Sequence, residues 1–333
     1  MTPQRKALFE KLEAARNSKV ISYITGDRPG METQISAEAY DRFVNHLDKI
    51  GVVKKISLYL YTRGGDTLAA WSLINLIRLF CEEFEVVIPS KALSSGTLIS
   101  LGANNIVMTK QATLGPIDPS IHTALNPQIH GGAPDARVPV SVEEVSGFLE
   151  LAKTELGIHA ENNLATLLNH LSDKIHPLVL GKVYRSKSQI QMLARKLLNA
   201  HGMDEEKTKK IISFLCSESG SHDYSIHRRE ARDGLGLKVE KPNDELYTLV
   251  KQIYDDIVAE MRLNTKFDVG NELGGQPQAN YSCRRVLVES VGGGTDVFVS
   301  EGVLGQRQIQ IQPNIAQTAY EDRRTYEGWR HEN

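Results

Sequence analysis

The fold is decided by residues 56–66, ISLYLYTRGGD, where an apolar strand runs directly into a double-glycine turn. An apolar helix pattern follows at 67–80, and a second strand, EVVIP, at 85–89. The segment SSGT at 94–97 opens another helix, and a third strand, NIVMT, follows at 105–109. Strands that alternate with helices predict a parallel sheet with right-handed crossovers. Both glycine-containing turns then lie at the carboxyl edge of the sheet, where α/β proteins place their active sites.

The rest of the chain is predicted to surround this core with helices and a terminal hairpin. A strand is expected at 18–25 and an irregular loop at 120–140. Glycines 292–294 lie between two strand patterns and predict a β-hairpin. The polar and aromatic tail, 313–333, is expected to lie on the body or on a neighbouring subunit. Helical spacing of apolar residues predicts the remaining elements, which are helices at 3–17, from Ser36, at 142–156, 163–171, 188–200, up to Cys216 and at 244–263.

The composition excludes several classes of protein. The 333 residues are 41% hydrophobic and 24% charged, which excludes wholesale disorder. The formal net charge of −2 lacks the basic excess of a general nucleic-acid-binding protein. Three cysteines without CxxC spacing argue against a disulfide framework and suit a reducing compartment. No secretory signal and no apolar stretch of about 18 residues is present. We therefore expect a soluble, cytoplasmic protein that binds neither nucleic acid nor membrane.

Two turns carry candidate chemistry. Gly64 and Gly65 follow a strand directly, so backbone N–H groups can face an anion or a carbonyl without an intervening side chain. The spacings of phosphate loops and of dinucleotide-binding loops are both missing. Ser94 starts a helix, where the positive end of the helix dipole favours an oxyanion and first-turn N–H groups lack partners. Each turn has a simpler interpretation when taken alone, namely a tight turn for the glycines and an N-cap for Ser94.

Taken together, TRGGD at 62–66, SSGT at 94–97 and LGPIDP at 114–119 resemble the Clp protease/crotonase superfamily. The chain looks most like its SDH family (serine dehydrogenase proteinase) of Clp-fold serine proteinases. Arg63 stands where Clp proteases and signal peptide peptidase A carry a proline before the two glycines. A weaker resemblance, to the segment of Clp proteases with the catalytic aspartate, returns at 222–231, HDYSIHRREA. The resemblance implies an α/β fold with a Clp/crotonase-like repeated ββα superhelix, a helical handle region and a small C-terminal β extension.

The resemblance also implies a serine-type endopeptidase that forms an acyl-enzyme. Ser94 is then the nucleophile, the N–H groups of Gly65 and Ser95 form the oxyanion hole, and Asp223 orients the general base. These roles answer a chemical need, because hydroxyl attack on an amide requires a proton acceptor and two fixed donors for the tetrahedral intermediate. Asp118, between prolines, is interpreted as a structural residue that bonds backbone N–H groups.

The identity of the general base stays open. His176 is preferred because the segment IHPL at 175–178 resembles an HPL stretch of the family. A histidine before proline at a helix end can instead serve only to cap carbonyls. The alternatives are His122, His130, His222 and Lys153.

We expect residues 1–240 to form the protease domain, with a helical insertion at about 142–216, and residues 241–333 to add a helix, a β-hairpin and a tail. Clp-fold subunits form rings or stacked trimers, so the resemblance implies a homo-oligomer that acts on a protein or peptide substrate. No metal or organic cofactor is indicated. Two other functions fit the same fold, namely a crotonase-type acyl-CoA enzyme, which needs no serine at position 94, and a catalytically decayed assembly module.

Overall fold

The apolar strands of the sequence form one large sheet in the computed structural model, which describes residues 1–117, 120–131, 133–218, 221, 223–312 and 315–332. The described strands are β1 Lys19–Thr25, β2 Val53–Tyr61, β3 Cys81–Ile88, β4 Lys91–Ala92, β5 Asn105–Met108, β6 Thr113–Leu114, β7 Ser120–Ile121, β8 Val140–Ser141, β9 Ile226–His227, β10 Val239–Glu240, β11 Gln278–Ser290, β12 Gly294–Gln312 and β13 Ile315–Glu332. The described α-helices are α1 Pro3–Arg16, α2 Tyr40–Ile50, α3 Thr67–Leu79, α4 Ser95–Leu101, α5 Val142–Glu150, α6 Glu161–Lys174, α7 Pro177–Ala200, α8 Glu205–Ser213, α9 Asp244–Met261 and α10 Val269–Leu273.

The chain divides into two units, one of Met1–Leu114 with His227–Asn333 and one of Gly115–Ile226. In the described residues, the first unit holds the main sheet, whose strand order is β10-β5-β3-β2-β1-β11-β12-β13. The second unit holds the helices α5 to α8, which include the predicted helical insertion. Residues 241–333 fall in the first unit, where β11 pairs antiparallel with β1.

The parallel half of the sheet has the predicted crossover topology. β1, β2, β3 and β5 pair in parallel, and their side chains are buried on both faces because helices cover both. Beyond the end of β2, Thr62 pairs with Ala92 of β4, and β4 pairs with β6. β2 is thus followed by the short paired segment at Thr62 and then by α3, and β3 is followed by β4 and then by α4. This repeat of two β segments and a helix confirms the predicted α/β class.

Helices cover the two faces of the sheet through apolar contacts. On one face, Phe9 of α1 and Val250 of α9 belong to the same buried cluster as Tyr59 of β2. On the other face, the rings of Phe43 in α2 and Tyr23 in β1 meet edge to face with centroids 5.3 Å apart. The helix periodicity that predicted α1, α2 and α9 therefore reflects real packing against the sheet.

Two elements differ from the expectations drawn from the sequence. Helix α7 begins at Pro177 rather than at 188, because proline fits the first helical position. His176 caps the start of the helix by accepting from Leu178 N–H at 3.2 Å. The C-terminal hairpin strands are 13 and 19 residues long, and the tail pairs with β12 as the strand β13. Most described side chains of β13 are exposed, so backbone pairing rather than apolar alternation makes it a strand.

Within the described residues, we find no helix with both the length and the apolar character needed to cross a membrane.

A buried histidine joins α2 to the C-terminal strands. His46 lies with Nδ1 2.7 Å from Ser290 Oγ and Nε2 3.2 Å from Asp296 Oδ2. Asp296 in turn lies 3.2 Å from His331 Nδ1 on β13. Burial lowers the pKa of His46 to about 4 and outweighs the opposing attraction of Asp296, while Lys49 and His331 lower the pKa further. The native state therefore holds His46 neutral at pH values where the unfolded chain binds a proton.

We predict that acidification destabilises the protein through His46. Its pKa falls from an ordinary 6.5 to about 4 on folding, so stability is full above about pH 6.5 and declines as the pH drops toward 4. Between about pH 7 and about pH 4.5 this group alone should remove about 2 kcal/mol from the free energy of unfolding. Urea titrations of wild type and His46→Gln at both pH values measure this difference. The exposed His170→Gln serves as the control, and an equal pH dependence in wild type and His46→Gln would contradict the prediction.

Candidate active site

Ser94 occupies a strained turn between β4 and α4. Its backbone has φ 52° and ψ −115°, a conformation that residues with a side chain rarely adopt. Its side chain makes no capping hydrogen bond to the helix, so the N-cap interpretation does not describe this serine. The residue is partly exposed, and its hydroxyl has no hydrogen-bond partner within the described part of the chain. Ser94 therefore combines a strained backbone with an unengaged hydroxyl at a strand-to-helix turn.

The double-glycine turn lies directly against this serine. Gly64 has φ 108°, and a Cβ placed on it would lie 2.7 Å from Ser94 Cβ. Gly65 has φ 141°, and a Cβ placed on it would lie 2.4 Å from Ile35 O. The turn is thus enclosed by the Ser94 segment on one side and by Ile35 on the other. Only glycine satisfies both the backbone torsions and the space at these two positions.

Hydrogen bonds fix the peptide planes of the glycine turn. Gly64 N–H donates to Thr62 Oγ1 at 3.0 Å, and Gly64 O accepts from Ile35 N–H at 2.8 Å. Gly65 O accepts from the Ser95 hydroxyl at 2.6 Å. Because the two sides of a trans peptide point in opposite directions, the bond from Ile35 to Gly64 O turns the Gly65 N–H away from Ile35.

Two backbone donors next to Ser94 are unengaged. Among the residues described, neither the Gly65 N–H nor the Ser95 N–H has a hydrogen-bond acceptor. Ser95 is the first residue of α4, and first-turn N–H groups have no partner within the helix. The bond between the Ser95 side chain and Gly65 O shows that the two residues are neighbours. The structure thus brings together Ser94, Ser95 and Gly65.

The predicted base and its orienting group lie in the second unit. His176 is exposed at the start of α7, where its Nδ1 accepts from Leu178 N–H. Asp223 is exposed in a turn before β9, and its backbone N–H donates to Ser221 Oγ at 3.2 Å. The alternative bases His122, His130 and Lys153 are exposed in the same unit. His222 and Asp118 lie outside the described residues.

Three ionisable groups at the strand ends of the first unit, Asp27, Tyr61 and Lys91, are bonded to one another. Lys91 Nζ lies 2.8 Å from Asp27 Oδ2, and Tyr61 OH donates to Asp27 Oδ1 at 2.7 Å. Burial raises the pKa of Tyr61, and the hydrogen bond to Asp27 adds to this effect. Asp66 uses Oδ1 to cap α3 by accepting from Leu68 N–H at 2.7 Å. In the described residues, no group of three or more His, Cys, Asp or Glu side chains is arranged to hold a metal ion.

Sequence reasoning missed the residues that support the turn. Ile35 bonds to the turn through its backbone groups and lies in a segment without a strand pattern, so no pattern in the sequence indicated this contact. Thr62 contributes a buried hydroxyl that also lies 2.7 Å from Thr25 Oγ1. A threonine at the end of each of two neighbouring parallel strands was a signal that could have found this pair.

Residues 1–132 match the family whose description is ClpP-like SDH-type serine proteinase. The resemblance seen in the sequence is thereby confirmed. The match supports a serine peptidase at the level of the family, and the double-glycine turn and Ser94 both lie within the matched residues.

This chain is also similar to relatives and to solved structures. The uncharacterized protein MJ0137 of Methanocaldococcus jannaschii is 28% identical over 255 residues, which are 74% of this chain and 77% of that protein. MJ1495 of the same organism is 39% identical over 127 residues, 35% of this chain and 42% of that protein. An alanine mutant of the 1510-N membrane-bound stomatin-specific protease is 16% identical, with a TM-score of 0.38, over 65% of this chain and 79% of that one. A mutant of ClpP1 from Listeria monocytogenes is 15% identical, with a TM-score of 0.37, over 72% and 99%.

We predict that Gly64→Ala destabilises the protein more than Gly51→Ala does. Both positions have positive φ, 108° and 72°, but a Cβ on Gly51 meets nothing within 4 Å. The shared backbone strain should cost each variant about 1–2 kcal/mol. The clash with Ser94 should cost Gly64→Ala about 1–3 kcal/mol more. Urea denaturation of the two variants measures the difference, and equal free energies of unfolding would contradict the close approach of Gly64 and Ser94.

Proposed function

We propose that the protein is a serine-type endopeptidase that hydrolyses peptide bonds through an acyl-enzyme on Ser94. The observation that carries this proposal is the strained Ser94 with an unengaged hydroxyl, packed against Gly64 and beside two unengaged backbone donors. Family membership of residues 1–132 supports a serine peptidase. An acyl-CoA enzyme of this fold would use the donors but would not need the serine.

In the proposed reaction, Ser94 Oγ attacks the carbonyl carbon of the scissile bond and gives its proton to the base. The carbonyl oxygen becomes an oxyanion that accepts from the N–H groups of Gly65 and Ser95. Cleavage of the C–N bond expels the amine, which takes the proton from the base, and leaves an ester on Ser94. A water molecule then attacks the ester with the help of the same base, which releases the acid product and restores the hydroxyl of Ser94.

We propose His176 as the base and Asp223 as the group that orients it. Exposure of both side chains supports the proposal, because each is accessible. The helix cap sets one condition on this role. Because His176 Nδ1 accepts from Leu178 N–H, the neutral ring carries its proton on Nε2. His176 must therefore release the cap before its ring can accept the proton of Ser94.

We predict that Ser94→Ala abolishes covalent labelling by a fluorophosphonate probe. The probe reacts with an activated serine hydroxyl, so labelled wild type should show one modified peptide that contains Ser94 by mass spectrometry. Ser188→Ala, which removes an exposed serine hydroxyl on α7, should label as wild type does.

Two outcomes would contradict the peptidase. Labelling that persists in Ser94→Ala would remove the nucleophile from the proposal. Absence of labelling in wild type together with retention of coenzyme A would favour the acyl-CoA enzyme, and absence of both would favour the decayed assembly module.

We predict that His176→Asn lowers the rate of probe labelling at Ser94 by about 100-fold or more, since the variant removes a general base. Asparagine is a favoured N-cap, so this variant keeps the capping role of His176 at the start of α7. Equal thermal midpoints for wild type and His176→Asn verify that the helix is intact, which separates the loss of the base from the loss of the cap.

The same labelling assay compares the other candidates for the base. His122→Gln, His130→Gln, His222→Gln and Lys153→Gln should each label at nearly the wild-type rate. If His176→Asn labels normally and one of these four variants does not, the base is that residue and our assignment is wrong.

We further propose a homo-oligomer that acts on a protein or peptide substrate in the cytoplasm. The match of residues 1–132 to a proteinase family supports a protein or peptide as substrate. The oligomeric state and the cellular compartment stay predictions from the sequence.

A further inference from the structure

We infer that the Ser95 side chain is a positioning residue that holds the glycine turn, and with it the Gly65 N–H, in place relative to Ser94. The inference rests on the proposed function and adds to it a role for the hydroxyl of Ser95, distinct from that of its backbone N–H. The residue is buried at the first position of α4, and its Oγ donates to Gly65 O at 2.6 Å. This O–H···O distance lies at the short, strong end of the normal range.

The other hydrogen bonds of the glycine turn do not join it to Ser94. Thr62 Oγ1 ties Gly64 N–H back to the end of β2, and Ile35 holds the opposite side of the turn by donating to Gly64 O and accepting from Asp66 N–H at 2.9 Å. None of these bonds reaches the segment that carries the nucleophile. In the described residues, the hydroxyl of Ser95 makes the hydrogen bond that joins the carbonyl of Gly65 to that segment.

The two strands are also joined before the turns begin. The Thr62 N–H donates to Lys91 O at 3.1 Å, and the Leu93 N–H donates to Thr62 O at 3.1 Å. Gly64 and Gly65 follow this junction, and glycine torsions rotate freely unless they are held. The bond from Ser95 lies beyond both glycines, so it ties the far end of the turn to the segment that carries Ser94, which the bonds from Ile35 do not do.

The position of the Gly65 N–H matters most in the transition state. An oxyanion-hole donor must lie about 2.7–3.1 Å from the oxyanion, and a misplacement of about 1 Å can cost about 100-fold in rate. Loss of the Ser95 hydroxyl should therefore slow the chemical step and leave substrate binding nearly unchanged. It should not unfold α4, because alanine is the best helix former.

The test compares Ser95→Ala with wild type in fluorophosphonate labelling of Ser94 and in cleavage of fluorescein-labelled casein. The variant keeps the backbone N–H of residue 95 and loses only the hydroxyl. We expect the labelling rate and kcat to fall about 10-fold to 100-fold. We expect KM to change by less than about twofold and the thermal midpoint to stay near that of wild type. Ser95→Thr, which restores a hydroxyl, should recover the labelling rate.

Ser100→Ala is the matched control. Ser100 lies on the same helix and is fully buried, but its Oγ donates to Gly96 O at 2.9 Å within the helix and touches neither turn. This variant should label at the wild-type rate. Hydrogen exchange gives a readout that does not depend on activity, since the peptide over residues 60–68 should exchange faster in Ser95→Ala and normally in Ser100→Ala.

The outcomes separate this inference from the proposed function. Wild-type labelling that Ser94→Ala abolishes, with Ser95→Ala as fast as wild type, would overturn the inference and leave the peptidase standing. An equal loss of rate in Ser95→Ala and Ser100→Ala would show a general effect on α4 and would also overturn it. Wild type without any labelling would overturn the proposed function and this inference together.

Discussion

The candidate site depends on the close approach of two turns that leaves no room for a side chain at Gly64. A Cβ there would lie 2.7 Å from Ser94 Cβ, so the backbone of the turn after β2 and the side chain of the serine after β4 share one small volume. The strained torsions of Ser94 and the positive φ values of both glycines follow from this contact. The surrounding sheet must supply the energy that holds these conformations.

Buried parallel strands in the sheet hold the two turns in these conformations. Val53–Tyr61 and Cys81–Ile88 pair in parallel, and helices cover both faces, so their carboxyl ends are fixed relative to each other. The pairing of Thr62 with Ala92 continues this alignment to the first residues of the turns. Two hydroxyl groups then hold the glycine turn beyond the paired strands. The hydroxyl of Thr62 accepts from Gly64 N–H, and the hydroxyl of Ser95 donates to Gly65 O.

Much of the fold was predictable because its core elements repeat apolar residues at strand or helix spacing. The strands at 56–62, 85–89 and 105–109 were identified with their turns at the correct sheet edge, and this placed Ser94, Ser95 and Gly65 together. The strand Ile315–Glu332 was missed because its exposed side chains do not alternate. The bond from Ile35 was missed because it uses only backbone atoms. The sequence did not identify the general base. His176 and its alternatives lie in a part of the chain where no residue spacing singles out one of them.

The pairing of β1 with β11 has a consequence for how the chain matures on the ribosome. Ile21–Thr25 pair with Val286–Ser290, so one edge of the first strand stays unpaired until the residues up to Ser290 have been synthesised. At about 5–20 residues per second, this delay is on the order of tens of seconds. During translation the apolar edge of β1 is open to wrong partners, and a nascent-chain chaperone would have its longest opportunity to act there.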